Sequence, residues 1–129
     1  MSTLERVFYV EDDQDIREVA TLALEDVGGL TLKVCESGKQ ALQEVEGFQP
    51  QVILLDVMMP GMDGPETLSA MREMGAITDS MLAVFMTAKV HPEEVERYKT
   101  LGVDQVISKP FDPMTLADEV RALWDTFNG

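Results

Sequence analysis

Gln51-Val52-Ile53-Leu54-Leu55-Asp56 runs from a polar residue through four unbroken apolar ones to an acid. Four apolar residues in succession, without alternation, predict a strand buried on both faces. Such a strand belongs inside a parallel sheet covered on both sides. The acid at its carboxyl end then stands at the sheet's edge. The next residues, Val57-Met58-Met59-Pro60-Gly61-Met62-Asp63-Gly64, are turn-rich. Pro65 suits the first turn of a helix that buries Leu68, Met71 and Met74.

The pattern repeats on either side. Upstream, Leu4 to Val10 reads as a strand, and Ile16, Val19, Ala20, Ala23, Leu24 and Val27 recur at helical spacing until Gly28 and Gly29. Leu30 to Cys35 is a weaker strand. Ser37 caps a helix that carries Ala41, Leu42 and Val45 and ends at Gly47. Downstream, Met81 to Met86 is an apolar strand. Pro92 opens a helix through Val95, Tyr98 and Leu101, closed by Gly102. Val103 to Ile107 is the last strand. Asp112 caps a final helix with Pro113 at its first position and an apolar face of Leu116, Val120, Leu123, Trp124 and Phe127. Five strand-helix pairs in strict alternation predict an α/β protein with a doubly wound, five-stranded parallel sheet flanked by five helices. One domain over residues 1–129, with a core from about 4 to 127, accounts for the chain.

Composition narrows the function. Lys and Arg number 10 against 24 Asp and Glu, a formal net charge of -14. That argues against a nucleic-acid-binding face, which draws on clustered cations. The single cysteine, Cys35, excludes an internal disulfide and sits in an apolar stretch, as a small buried hydrophobe does. No segment approaches the roughly 20 apolar residues that span a bilayer, so no membrane contact and a cytoplasmic location are expected.

In such sheets ligands bind beyond the carboxyl ends of the strands. The first strand delivers Glu11, Asp12 and Asp13 there, the third Asp56, the fourth Thr87 and Ala88, and the fifth Ser108, Lys109 and Pro110. Singly, each has an ordinary explanation: Asp13 can cap the next helix, and Asp63-Gly64 is turn chemistry. Together they gather acids, a hydroxyl and an amine at one edge. Carboxylates so crowded repel unless a hard cation joins them, and oxygen-only ligands suit Mg²⁺ (or Mn²⁺). Asp56, fixed by a buried strand, suits a nucleophile that forms an acyl phosphate. Lys109 can neutralise a phosphoryl oxygen and Thr87 can donate to another.

The acidic pair Glu11-Asp12, the strand Leu54-Leu55-Asp56 followed by Met58-Met59-Pro60-Gly61-Met62-Asp63-Gly64, the pair Thr87-Ala88 and the run Lys109-Pro110-Phe111 occur in that order. The chain thereby resembles the response-regulator receiver domains of two-component signalling, over about residues 4 to 127. The resemblance implies a flavodoxin-like sheet in strand order 2-1-3-4-5. It implies that Asp56 is the phosphoacceptor and that Mg²⁺ is held by Asp12, Asp56 and the backbone carbonyl of Met58, with Glu11 acting through a water. Met58, Thr87, Ala88 and Lys109 would surround the phosphoryl group, and the Lys109-Pro110 peptide would be cis. Thr87 and position 106 would form the switch. Position 106 usually holds Tyr or Phe in this family, and Val106 is too short for an aromatic rotation. Met58 and Lys89 flank the phosphoryl position and imply slow hydrolysis.

The expected function is therefore a signalling switch, catalysing only its own phosphorylation and dephosphorylation. The phosphodonor would be a phosphohistidine on a histidine kinase or histidine phosphotransfer protein. A downstream effector would read the face of the last two helices and strand five, and a stand-alone regulator without an output domain is expected. The rival reading is a non-phosphorylated interaction module of the same fold. An aspartyl phosphatase fits less well, because Met58 stands where such enzymes carry a second Asp.

Overall fold

Every residue of the strand Val52–Asp56 is buried, as its unbroken apolar run requires. It is the central strand of a five-stranded sheet in a computed structural model that describes residues 3–129. Met1 and Ser2, part of the span expected as one domain, lie outside the described residues. In chain order the elements are β1 (Arg6–Val10), α1 (Gln14–Thr21), β2 (Thr31–Cys35), α2 (Gly38–Phe48), β3 (Val52–Asp56), α3 (Gly64–Glu73), β4 (Leu82–Thr87), α4 (Pro92–Thr100), β5 (Gln105–Ser108) and α5 (Leu116–Asn128). The sheet is parallel throughout, in the order β2-β1-β3-β4-β5, the expected doubly wound arrangement. The chain reverses its winding between β1 and β3, where such sheets bind ligands.

Strand alternation splits the core in two. Val7, Tyr9, Leu54, Val84 and Met86 face one side, packed with Ala20, Ala23 and Leu24 and with Leu116, Val120 and Trp124 of α5. Phe8, Val10, Ile53, Leu55 and Phe85 face the other, against Ala41 and Val45 of α2, Leu68 and Met71 of α3 and Tyr98 of α4. The Phe85 and Tyr98 rings meet edge to face, 5.6 Å between centroids. Cys35 lies buried in this second cluster, and burial pushes its thiol up to about 12.

Helix starts follow the sequence. Asp13 accepts from the Ile16 N–H, Ser37 from the Gln40 N–H, and Pro65 and Pro92 stand in the first turns of their helices. Helix ends follow it at Gly28 and Gly102 and depart from it elsewhere. α1 passes directly into wider π-helical turns over Leu22–Val27, and Val19 and Val27, expected on its buried face, are exposed. α2 runs through Gly47 and stops at Gln49, whose φ of 54° takes the left-handed conformation. Met74, Leu101 and Phe127, expected on buried faces, stand exposed at or beyond the helix ends. β5 begins at Gln105, two residues later than expected. Asp112 does not cap α5 directly: its carboxylate accepts from the Met114 N–H, and the helix starts at Leu116 after that turn.

Candidate functional site

Backbone ties aim the side chains at one edge. The Glu11 N–H donates to the Cys35 carbonyl at 3.0 Å, continuing the β1–β2 ladder one residue past the strand. Arg17 of α1 donates to the Glu11 carbonyl at 2.8 Å and braces it from the other side. Asp56 closes β3, and the Val57 N–H donates to the Met86 carbonyl beside it. The loop after β3 is folded back by a reciprocal capping box between Asp63 and Glu66. Gly64 then lies so close to β3 that a Cβ there would sit 2.5 Å from the Asp56 carbonyl oxygen. Glycine is the residue that permits this approach. On the far side, Thr87 pairs with Ser108, and the Lys109 N–H donates to the Thr87 carbonyl at 2.8 Å. The Lys109–Pro110 peptide is cis.

The Lys109 ammonium bridges two acids, with Nζ 2.8 Å from Glu11 Oε1 and 2.9 Å from Asp56 Oδ1. Carboxylate oxygens of Glu11, Asp12 and Asp56 lie within 4.8 Å of one another. Glu11 and Asp56 are buried and Asp12 is exposed. At that separation two carboxylates repel by roughly 3.5 kcal/mol for an effective dielectric near 20. Lys109 offsets part of this. Burial would lower the lysine's pKa, but hydrogen bonds to Glu11 and Asp56 outweigh it and the net shift is upward. Burial pushes the Glu11 carboxyl up to about 7; the Lys109 bond opposes the shift and the Asp56 charge adds to it. Three oxygen donors converging with a surplus of negative charge fit a hard divalent cation.

The remaining expected site residues lie on the neighbouring strands and the loops that follow them. Thr87 is buried, and its Oγ1 accepts from the Lys89 N–H at 3.0 Å, so the hydroxyl is tied to the loop after β4. Ala88 is exposed on that loop. Met58 is 70% exposed on the loop after β3. Val106 is half-buried and packs against the core cluster beneath α4. Two neighbours escaped the sequence reading. Arg17 was legible only as a cation one turn into the helix after the acids. Tyr9 stands within the span Leu4 to Val10 that reads simply as a strand, yet its hydroxyl is buried and feels the charges of Glu11 and Asp56.

Comparison with known proteins agrees with this arrangement. The sequence model described as "Response regulator receiver domain" matches residues 7–121. The chain is 35% identical over 118 residues to the DNA-binding response regulator MtrA of Mycobacterium tuberculosis, covering 92% of this chain and 50% of the relative. It is 31% identical over 127 residues to the transcriptional regulatory protein CseB of Streptomyces coelicolor, covering 98% and 52%. The chain thus spans about half the length of the curated relatives it matches. Among solved structures, the chemotaxis protein CheY4 of Vibrio cholerae superposes with a TM-score of 0.83 at 28% identity, covering 93% of this chain and 98% of that one. The BeF3-activated DrrB receiver domain superposes at 0.77 with 25% identity, covering 95% and 99%. No helix among the described residues is long and apolar enough to cross a membrane. With the sheet order, the acid edge and a family match over most of its length, the chain belongs to the response-regulator receiver domains of two-component systems.

Proposed function

We propose that this domain is a phosphoacceptor switch in which Asp56 takes a phosphoryl group from a phosphohistidine. The observation that carries the reading is the Lys109 bridge: one ammonium 2.9 Å from Asp56 and 2.8 Å from Glu11, beside a third carboxylate. An Asp56 oxygen attacks phosphorus. The new P–O bond forms as the P–N bond breaks, and the electron pair leaves on the imidazole nitrogen. Lys109 follows the charge from the carboxylate to a phosphoryl oxygen. The Thr87 hydroxyl and the backbone at Ala88 and Met58 supply the remaining contacts. Asp12, Asp56 and the Met58 carbonyl, with Glu11 beside them, would hold Mg²⁺ (or Mn²⁺), which would supply neutralisation of the phosphoryl charge. The exposed Met58 and Lys89 beside the acceptor slow the approach of a hydrolytic water.

On this reading the domain catalyses only its own phosphorylation and dephosphorylation. Thr87 gives up its bond to the Lys89 N–H to reach the phosphoryl group, and the loop after β4 follows. Val106 carries no ring to rotate, so the signal passes through that loop to the face of α4, β5 and α5, where an effector protein binds. The phosphodonor is a histidine kinase or a histidine phosphotransfer protein. MtrA is named as DNA-binding and is about twice as long as the matched region; DNA binding by this chain forms no part of the proposal.

Acetyl phosphate with Mg²⁺, followed by intact mass, is the test. A gain of about 80 Da, one phosphoryl group on a carboxylate, is expected for the natural chain and not for Asp56→Asn. An unchanged mass in conditions that label other receiver domains would favour the non-phosphorylated interaction module instead.

A further inference from the structure

Tyr9 lies on β1 in the core against α1 and α5, fully buried among Ala20, Ala23, Leu24 and Met86. Its hydroxyl is the one buried side-chain polar atom among the described residues without a hydrogen-bond partner. Phenylalanine would fill the same space, and a buried hydroxyl left unpaired is destabilising. The phenol therefore calls for an acceptor within its reach.

The neighbour that fits is Glu11. The Glu11 N–H bond to the Cys35 carbonyl carries the β1 ladder one residue past the strand, and side chains two residues apart on such a ladder share a face, so Glu11 follows Tyr9 to the same side. Burial and then the charges of Glu11 and Asp56, Glu11 the stronger, push the phenol well above its ordinary range. Glu11 is itself 1% exposed. It holds the Lys109 ammonium at 2.8 Å and the Asp13 N–H at a long 3.3 Å. Lys109 is shared with Asp56, and a divalent cation entering among the three carboxylates repels its ammonium. Once it leaves, the most buried carboxylate of the cluster retains one weak donor. A buried anion short of a donor takes the nearest free one.

We propose that Tyr9 is a positioning residue for the cation site, its hydroxyl donating to the Glu11 carboxylate when Lys109 withdraws and so fixing Glu11 toward the cation. The proposal rests on reading Glu11, Asp12 and Asp56 as a cation site. The phenol acts through Glu11 and touches neither the cation nor the phosphoryl group.

Calorimetric Mg²⁺ titration of the full chain, of Tyr9→Phe, of Glu11→Gln and of the double variant tests it, with melting curves in chelator alongside. Tyr9→Phe should melt at or above the natural chain without metal, because it deletes only an unpartnered hydroxyl. Its Mg²⁺ affinity should fall about tenfold to a hundredfold, the usual effect of losing a group that orients a metal ligand. In the Glu11→Gln background the same change should alter affinity by about twofold or less, since the hydroxyl has no anion to hold. Unchanged affinity in Tyr9→Phe overturns the proposal. So does an equal loss of affinity in both backgrounds, which would make Tyr9 a packing residue. A natural chain that takes up no Mg²⁺ overturns the cation-site reading itself, and the first titration shows this before any variant is compared.

Discussion

Replacing Glu11 by Gln should stabilise the metal-free protein at pH 8, although Glu11 sits at the centre of the site. In the unfolded chain its carboxyl has the ordinary value of 4.5, and in the fold burial holds it up to about 7. Between those values the folded state binds more protons than the unfolded one. Stability therefore falls as pH rises from about 4.5 to about 7 and stays low above that. The interval corresponds to roughly 3 kcal/mol. Glutamine keeps the shape and a carbonyl acceptor for Lys109 Nζ, and it has no charge to strip of water. The variant's advantage should grow from about zero near pH 4.5 to roughly 3 kcal/mol at pH 8, on the order of 10 °C in Tm for a chain this long. Neighbouring groups leave that window clear. The raised Lys109 contributes stability that is complete below 10.5 and lost only above it, and the Cys35 thiol acts between 9 and about 12. Urea unfolding in EDTA across about pH 5 to 8 measures the gap. Mg²⁺ in a hundredfold excess over its dissociation constant should then return roughly 2.7 kcal/mol to the natural chain and much less to the variant. A variant no more stable than the natural chain at pH 8, or a gap that ignores pH, would refute the placing of Glu11 as a desolvated acid.

Two further outcomes follow from the same geometry. Gly64→Ala drives a Cβ to 2.5 Å from the Asp56 carbonyl oxygen and 3.0 Å from the Val57 Cα, both backbone atoms with little room to yield. It should cost about 1–3 kcal/mol, read by urea titration, and should weaken Mg²⁺ binding by moving the loop that carries Met58; full stability with full affinity would show that the loop gives way freely. Cys35 is 1% exposed with its thiol raised to about 12, so a thiol reagent at pH 8 should label the folded chain far more slowly than the urea-unfolded one, and equal rates by mass spectrometry would contradict its burial.

Helix starts were legible because their chemistry is local. Asp13 and Ser37 each cap a helix within three residues of themselves, a contact that needs no distant partner. Helix ends were less so. Gly47 looked like a terminus, but α2 had one more residue to pack and stopped on Gln49 instead. Val19 and Val27 are exposed, outside a stripe that spacing alone had included. One start departed too, since Asp112 and Pro113 form a turn of their own before α5.

The sequence by itself determined the sheet and its chemical edge. An unbroken apolar run ending in Asp56 has one stable environment, the middle of a parallel sheet, and alternation then carries Glu11, Asp12, Thr87 and Lys109 to the same side. Tertiary structure alone decided what those residues do to one another. Lys109 lies 98 positions from Glu11 and 53 from Asp56, and only packing brings its ammonium between them. The Thr87 oxygen is held by a loop amide rather than by the acids. The Tyr9 phenol, which the chain alone places only in a strand, is left without a hydrogen-bond partner because the fold buries it away from water. Residue types fix which interactions are possible; distance and desolvation, which exist only in the folded chain, fix which are made.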